Sequence, residues 1–152
     1  YTQRTVNGRV RKGMTLSPRP RITDLATWYQ PARWSEDDLA MAVATRLRQL
    51  ERELPFTFAH DQNAGHRSRT NGSRAKAMGM RAGEADIRIY APQGFVGHIE
   101  LKTVRGRLSA AQRQRHGELR ALGHDVRVVH AATPGYAADE VEKIAREWLA
   151  TD

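Results

Sequence analysis

The stretch Asp86-Ile-Arg-Ile-Tyr-Ala-Pro-Gln-Gly-Phe-Val-Gly-His-Ile-Glu-Leu-Lys102 decides how this chain folds. An aspartate leads into a short strand, a Pro-Gln-Gly turn follows, and a second strand carries Glu100 and Lys102. Strand side chains alternate faces, so Glu100 and Lys102 point the same way, roughly 6.7 Å apart along the backbone. A turn that pairs Ala91 with Phe95 sets a register in which Asp86 stands opposite Glu100. Directly opposed like charges repel. Such a pair is expected to face a cation, and hard carboxylate oxygens suit Mg²⁺ or Mn²⁺. Lys102 beside them would complete a site for phosphodiester hydrolysis. A solvated strand face is the plain alternative, since antiparallel hairpins often have one wet side.

Composition narrows the field. The 152 residues show no internal repeat and read as one domain, residues 34–150, preceded by a basic arm over residues 1–33. No apolar run reaches the length of a membrane span, so a membrane partner is not expected. With no cysteine there are no disulfides and no thiolate metal sites, which fits a cytoplasmic protein. Lys and Arg number 25 against 17 Asp and Glu, for a net charge of +8. That excess attracts phosphate polyanions through counterion release, so nucleic acid is favoured, and the motifs taken up below make DNA, duplex or branched, the expected partner.

The arm carries Arg4, Arg9, Arg11, Lys12, Arg19, Arg21 and Arg33 against the single acid Asp24, and Pro18, Pro20 and Pro31 interrupt any helix. It reads equally as a DNA-tracking arm or a solvated tail. Leu25, Trp28 and Tyr29 could form a short apolar turn. Ser35-Glu-Asp-Asp38 then reads as a capping box opening a helix whose Leu39, Val43, Leu47, Leu50 and Leu54 recur at helical spacing. Glu36 projects from the middle of that apolar stripe at the helix start, where simple dipole electrostatics would also place an acid.

Phe56–His60 reads as a strand, and residues 61–84 as a long polar loop with a short turn over Lys76–Met80. Arg67, Arg69, Arg74, Lys76 and Arg81 make that loop basic, suited to phosphate contacts or simply to solvent, and Arg105 and Arg107 follow the second hairpin strand. Ser109 and Gln112 form a second capping box, opening a helix that turns Leu119 and Leu122 inward and stops at Gly123. A strand over Asp125–His130 and a helix over Ala138–Leu149, burying Val141, Ile144, Ala145 and Trp148, complete the order. His98 shares the face of Glu100, whereas His116, His124 and His130 read as surface or packing residues. No histidine spacing matches a zinc site. The three tryptophans read as core or docking residues.

The motifs Lys76-Ala-Met-Gly-Met-Arg-Ala-Gly-Glu-Ala-Asp86, Ile99-Glu-Leu-Lys-Thr103 and Gly106-Arg-Leu-Ser-Ala-Ala-Gln112 together resemble the virus-type replication-repair nucleases (VRR-NUC) of the PD-(D/E)XK superfamily. The likeness spans about Trp34 to His130, and Asn63 matches a common family asparagine. It departs at Ala85, where the family usually has proline. The resemblance implies a restriction-endonuclease-like α/β fold, a mixed β-sheet flanked by helices in the order α-β-β-β-α-β-α. It implies a metal-dependent deoxyribonuclease, nicking or structure-selective on junctions or flaps, of phage or replication-repair type. Asp86, Glu100, Glu36 and the Leu101 carbonyl would hold Mg²⁺ or Mn²⁺, Lys102 would act on the attacking water, and Gln112 would border the site. Two-fold substrates would suit a homodimer. The competing expectation is a non-catalytic nucleic-acid-binding domain that kept the fold, such as a packaging or recombination component.

Overall fold

A computed structural model describes residues 33–61 and 69–150, with the backbone alone over 69–71. The expectations for residues 1–32, for Asn63 and Arg67, and for the side chain of Arg69 lie outside the described residues. The elements run α1 (Glu36–Leu50), β1 (Thr57–His60), α2 (Arg69–Ala77), β2 (Ile87–Tyr90), β3 (Val96–Thr103), α3 (Ala110–Ala121), β4 (Val126–Ala131) and α4 (Pro134–Leu149). A one-turn 3₁₀ segment, Pro92–Gly94, joins β2 to β3.

The sheet order is β1-β2-β3-β4. Both β1–β2 and β2–β3 are antiparallel, and β3–β4 is parallel, its crossover made by α3. Gln93 (φ 60°) and Gly94 (φ 78°) take left-handed conformations that let Ala91 N–H reach Phe95 C=O at 2.9 Å. This closes the hairpin in the expected register, with Ile87 opposite Ile99. β3 then runs on past the last β2 pair, bonded to β4 alone.

Alternation along β3 builds two different layers. Ile99 and Leu101 face one side with Ile87, Ile89, Val129 and Ala131, and meet Leu39, Val43, Leu47 and Leu50 of α1 and Val141, Ile144, Ala145 and Trp148 of α4. Each Val, Leu or Ile among them contributes roughly 1.5–3 kcal/mol when fully buried. His98, Glu100 and Lys102 face the other side, yet they are buried as well, as are His116 and Leu119 of α3. β3 is therefore covered on both faces, and its polar face is a buried one.

Both expected capping boxes form: Ser35 Oγ accepts from Asp38 N–H at 3.1 Å, and Ser109 Oγ from Gln112 N–H at 3.1 Å. Four expectations need correction. The long loop holds a nine-residue helix, α2, closed by a Schellman motif. There Met80 N–H reaches Ala75 C=O and Gly79 N–H reaches Lys76 C=O, both at 3.0 Å, with Gly79 at φ 83°. The last helix begins at Pro134, capped by Thr133, because proline suits the first helical position. The fourth strand is Val126–Ala131, so Asp125 precedes it. Leu122 is exposed, since it is the C-cap of α3 and lies past its last inward turn.

Candidate active site

Asp86 sits immediately before β2, so the hairpin register carries it opposite Glu100. N–H and C=O of one strand residue point to the same edge. Beyond Ile99 the β2-facing edge of β3 has no strand partner, and Asp86 takes that place: Leu101 N–H donates to its Oδ2 at 2.7 Å. The Leu101 carbonyl shares this edge. Glu36, in the first turn of α1, approaches from the other layer.

Lys102 joins these parts. Its Nζ lies 2.7 Å from Glu100 Oε1 and 3.2 Å from Glu36 Oε2. Gln112 Nε2 donates to the same Glu100 Oε1, so Gln112 caps α3 with its Oε1 and holds Glu100 with its amide nitrogen. Gln112 thus serves the helix cap and the Glu100 contact together. The close approach of the loop after β3 depends on Gly106: a Cβ there would lie 3.1 Å from Glu36 Oε1 and 3.2 Å from Lys102 Cδ.

Burial pushes the Glu100 carboxyl up to about 7; the Lys102 hydrogen bond opposes this and the charge of Asp86 adds to it. Burial also raises Asp86, against the pull of Leu101 N–H and Lys102. Burial works against the Lys102 ammonium, but Glu100 and Glu36 outweigh it and hold its pKa above the ordinary lysine value. Lys102 is held as the ammonium, paired with both carboxylates.

The Glu100 shift has a consequence for stability. Between the ordinary carboxylate value and about 7, folded Glu100 keeps a proton that the unfolded chain has released. Stability from this group is full below the unfolded value and falls as pH rises through that window, by up to roughly 3 kcal/mol. Buried neutral His98 and His116 work the other way, adding stability as pH rises, so in thermal melts of the metal-free protein from about pH 5 to about pH 8 Glu100→Gln should make stability rise more, or fall less, with pH than in wild type. Equal slopes in both proteins would assign the pH dependence to other groups.

The remaining expected residues divide. Arg74, Lys76, Arg105 and Arg107 are exposed and free to meet a polyanion as far as burial goes. Arg81 is exposed too, but it pairs with Glu118 at 3.4 Å. A charged network ties the segment before Asp86 to its surroundings: Arg88 bridges Asp61 (2.6 Å) and Glu84 (3.1 Å), and Arg115 of α3 holds Glu84. His98 is buried without a hydrogen bond, its ring edge-on to His124 at 5.1 Å, and burial first, then the neighbouring His124, keeps it down at about 4. It is a neutral packing residue under α3.

Sequence reasoning missed one residue of the site. His116, read as surface or packing, is fully buried, and its Nε2 lies 3.7 Å from Glu100 Oε2. Burial, then Arg120 and Lys102, lower its pKa, so the ring is neutral. Its position one helical turn after Gln112, on the same face of α3, was the available signal.

As they stand, no three His, Asp or Glu side chains among the described residues form a ready ion cage. The donor set nevertheless suits a hard divalent cation. Glu36 and Glu100 already converge on one cation, the Lys102 ammonium, and Asp86 faces Glu100 from the neighbouring strand.

A solved structure described as a "VRR_NUC domain protein" superposes with TM-score 0.58, at 19% identity, over 78% of this chain and 91% of that one. The fold is that of a VRR-NUC domain. A second, described as "VRR_NUC domain", matches with TM-score 0.48 and 18% identity over 74% and 96% of the two chains. No protein-family model matches the sequence, and no curated protein matches it. The VRR-NUC likeness thus rests on tertiary structure and on the three short motifs around Asp86, Glu100 and Gln112. Among the described residues no helix is long and apolar enough to cross a membrane.

Proposed function

We propose that this VRR-NUC-like domain is a metal-dependent deoxyribonuclease that hydrolyses DNA phosphodiester bonds, nicking or cutting branched structures such as junctions and flaps. The observation that carries this reading is the convergence of Glu36 and Glu100 on Lys102, with Asp86 in register opposite Glu100. One ammonium pairs with Glu100 and Glu36, which leaves Asp86 opposed to a buried second carboxylate, and like charges so placed repel unless a further cation lies between them.

Asp86, Glu100, Glu36 and the Leu101 carbonyl would hold Mg²⁺ or Mn²⁺. A bound divalent ion of this kind supplies an acidified water and charge neutralisation at the phosphoryl oxygens. Lys102, held protonated, orients the attacking water and stabilises negative charge developing on the phosphate. Gln112 keeps Glu100 in place. Arg74, Lys76, Arg105 and Arg107 contact phosphates, and phosphate contacts position DNA without reading its sequence. Arg67 and Arg69 belong to the same basic segment in the sequence.

The test is incubation with linear, nicked, flap and four-way DNA in Mg²⁺, Mn²⁺ or EDTA. Metal-dependent cleavage, strongest on one branched form, is the expected result; no cleavage of any form in either metal would overturn the reading. If the preferred form is a four-way junction, its two-fold symmetry calls for a homodimer, which sedimentation on that junction would show. A protein that remains monomeric there would exclude it.

A second reading, a non-catalytic DNA-binding domain, is favoured by the pairing of Lys102 itself. The ammonium already compensates Glu100 and Glu36 without any metal. The two readings assign Lys102 different work. For a nuclease, Lys102→Ala lowers the single-turnover cleavage rate and leaves equilibrium binding nearly unchanged. Arg74→Ala with Lys76→Ala instead weakens binding and flattens its salt dependence, by roughly 0.9 in slope per lost duplex contact. A Lys102→Ala protein that binds as weakly as the double variant, yet cleaves normally at saturation, would make Lys102 an ordinary phosphate contact.

A further inference from the structure

We propose that His116 is a positioning residue for Glu100, donating its Nε2–H to Glu100 Oε2 while Gln112 holds the other oxygen. The inference rests on the reading of Glu100 as a metal-binding carboxylate. Glu100 Oε1 is doubly held, by Lys102 and Gln112. Glu100 Oε2 is fully buried and has no hydrogen-bond partner among the described residues, and the same is true of both ring nitrogens of His116. These orphaned atoms face each other at 3.7 Å, with both side chains wholly buried. Buried polar atoms are nearly always paired, and a small side-chain rotation brings the two within the roughly 3 Å of a hydrogen bond.

The chemistry gives the contact a direction. A neutral imidazole carries one N–H, and an ionised carboxylate only accepts, so once Glu100 is deprotonated, as a metal ligand must be, the proton belongs on Nε2. Gln112 and His116 are spaced four apart on α3, and such residues lie one above the other on a helix face. One face of α3 therefore grips both oxygens of one carboxylate. Glu100 stands opposite Asp86, and the like charges repel it from the shared cation position. Anchoring Oε2 prevents the carboxylate from turning away, which is what outer partners of metal ligands do. A purely packing role would require only the volume of the ring.

Nitrogen NMR of the full chain labelled in histidine, recorded at about pH 8.5 where Glu100 is ionised, tests the contact directly. The expected spectrum shows the Nε2–H tautomer for His116, with its Nε2 resonance moved by Glu100→Gln. An Nδ1–H tautomer would overturn the proposal whatever the variants do. The functional arm compares His116→Leu, which keeps volume and removes the donor, with His116→Gln, which restores an N–H near the same place. His116→Leu should weaken Mn²⁺ binding measured by calorimetry, and slow single-turnover cleavage at saturating Mn²⁺, each by roughly 10–100-fold. DNA affinity in Ca²⁺ should be retained, and His116→Gln should recover most of both losses. A His116→Leu protein that melts, binds Mn²⁺ and cleaves like wild type would leave His116 with packing alone and overturn the proposal. If His116→Leu fails to fold, the tautomer decides. If wild type neither binds Mn²⁺ nor cleaves any DNA, the nuclease reading falls instead, and the tautomer still decides the contact.

Discussion

Asp86→Ala and Glu100→Ala should each abolish metal-dependent cleavage, lowering the single-turnover rate by roughly three orders of magnitude or more. The size follows from what a bound divalent ion supplies in phosphoryl chemistry, several kcal/mol of transition-state stabilisation, at about 1.4 kcal/mol per tenfold in rate. DNA binding in Ca²⁺ or EDTA should survive, because neither substitution removes an exposed basic residue. The two variants differ in their effect on the metal-free fold. Asp86→Ala removes the acceptor of Leu101 N–H at the unpaired edge of β3, while relieving repulsion with Glu100. Glu100→Ala leaves the Lys102 ammonium buried with Glu36 as its remaining carboxylate. Wild-type rates in either variant would place the chemistry elsewhere on the molecule.

Gly83→Ala should have the next largest effect, through folding. Gly83 has φ +85°, a left-handed conformation that a side chain disfavours. A Cβ there would also collide with the backbone of Ala111 and Gln112 in the first turn of α3. Backbone atoms of a capped helix cannot swing aside, so either α3 lifts or the segment before Asp86 moves. The expected cost is about 2–4 kcal/mol from backbone strain and overpacking together. Either movement also separates Gln112 from Glu100, so cleavage should fall more than the melting temperature alone explains. By contrast, Gly79→Ala, with positive φ but open space around it, should cost only the strain. A Gly83→Ala protein no less stable than Gly79→Ala would show that this close approach is not needed.

What the sequence determined by itself is local and periodic. Alternation between Asp86 and Lys102, with a Pro-Gln-Gly turn between the strands, sufficed for the hairpin, its register, and the meeting of Asp86 with Glu100. Ser35 and Ser109 marked two helix starts because capping chemistry is complete within four residues. The α-β-β-β-α-β-α order, set by those elements and carried by the motif resemblance, is present in the fold, with α2 added to it. That helix escaped because Arg69–Ala77 has no apolar stripe; its only mark was Gly79 at the C-terminus.

Tertiary structure decided the rest, since the facts concerned are contacts between distant segments. Whether Glu36 serves only the helix dipole or also meets the strand site depends on where α1 ends up against β3. The packing brings it to 3.2 Å from Lys102. Alternation shows that His98, Glu100 and Lys102 share a face, but only the cover of α3 makes that face dry. Burial under α3 is what raises Glu100, leaves its Oε2 unpaired and sets His116 beside it. Beyond its spacing from Gln112, a histidine in an amphipathic helix carries no local mark of the carboxylate it will face. That contact exists only once the crossover from β3 to β4 has laid the helix over the sheet.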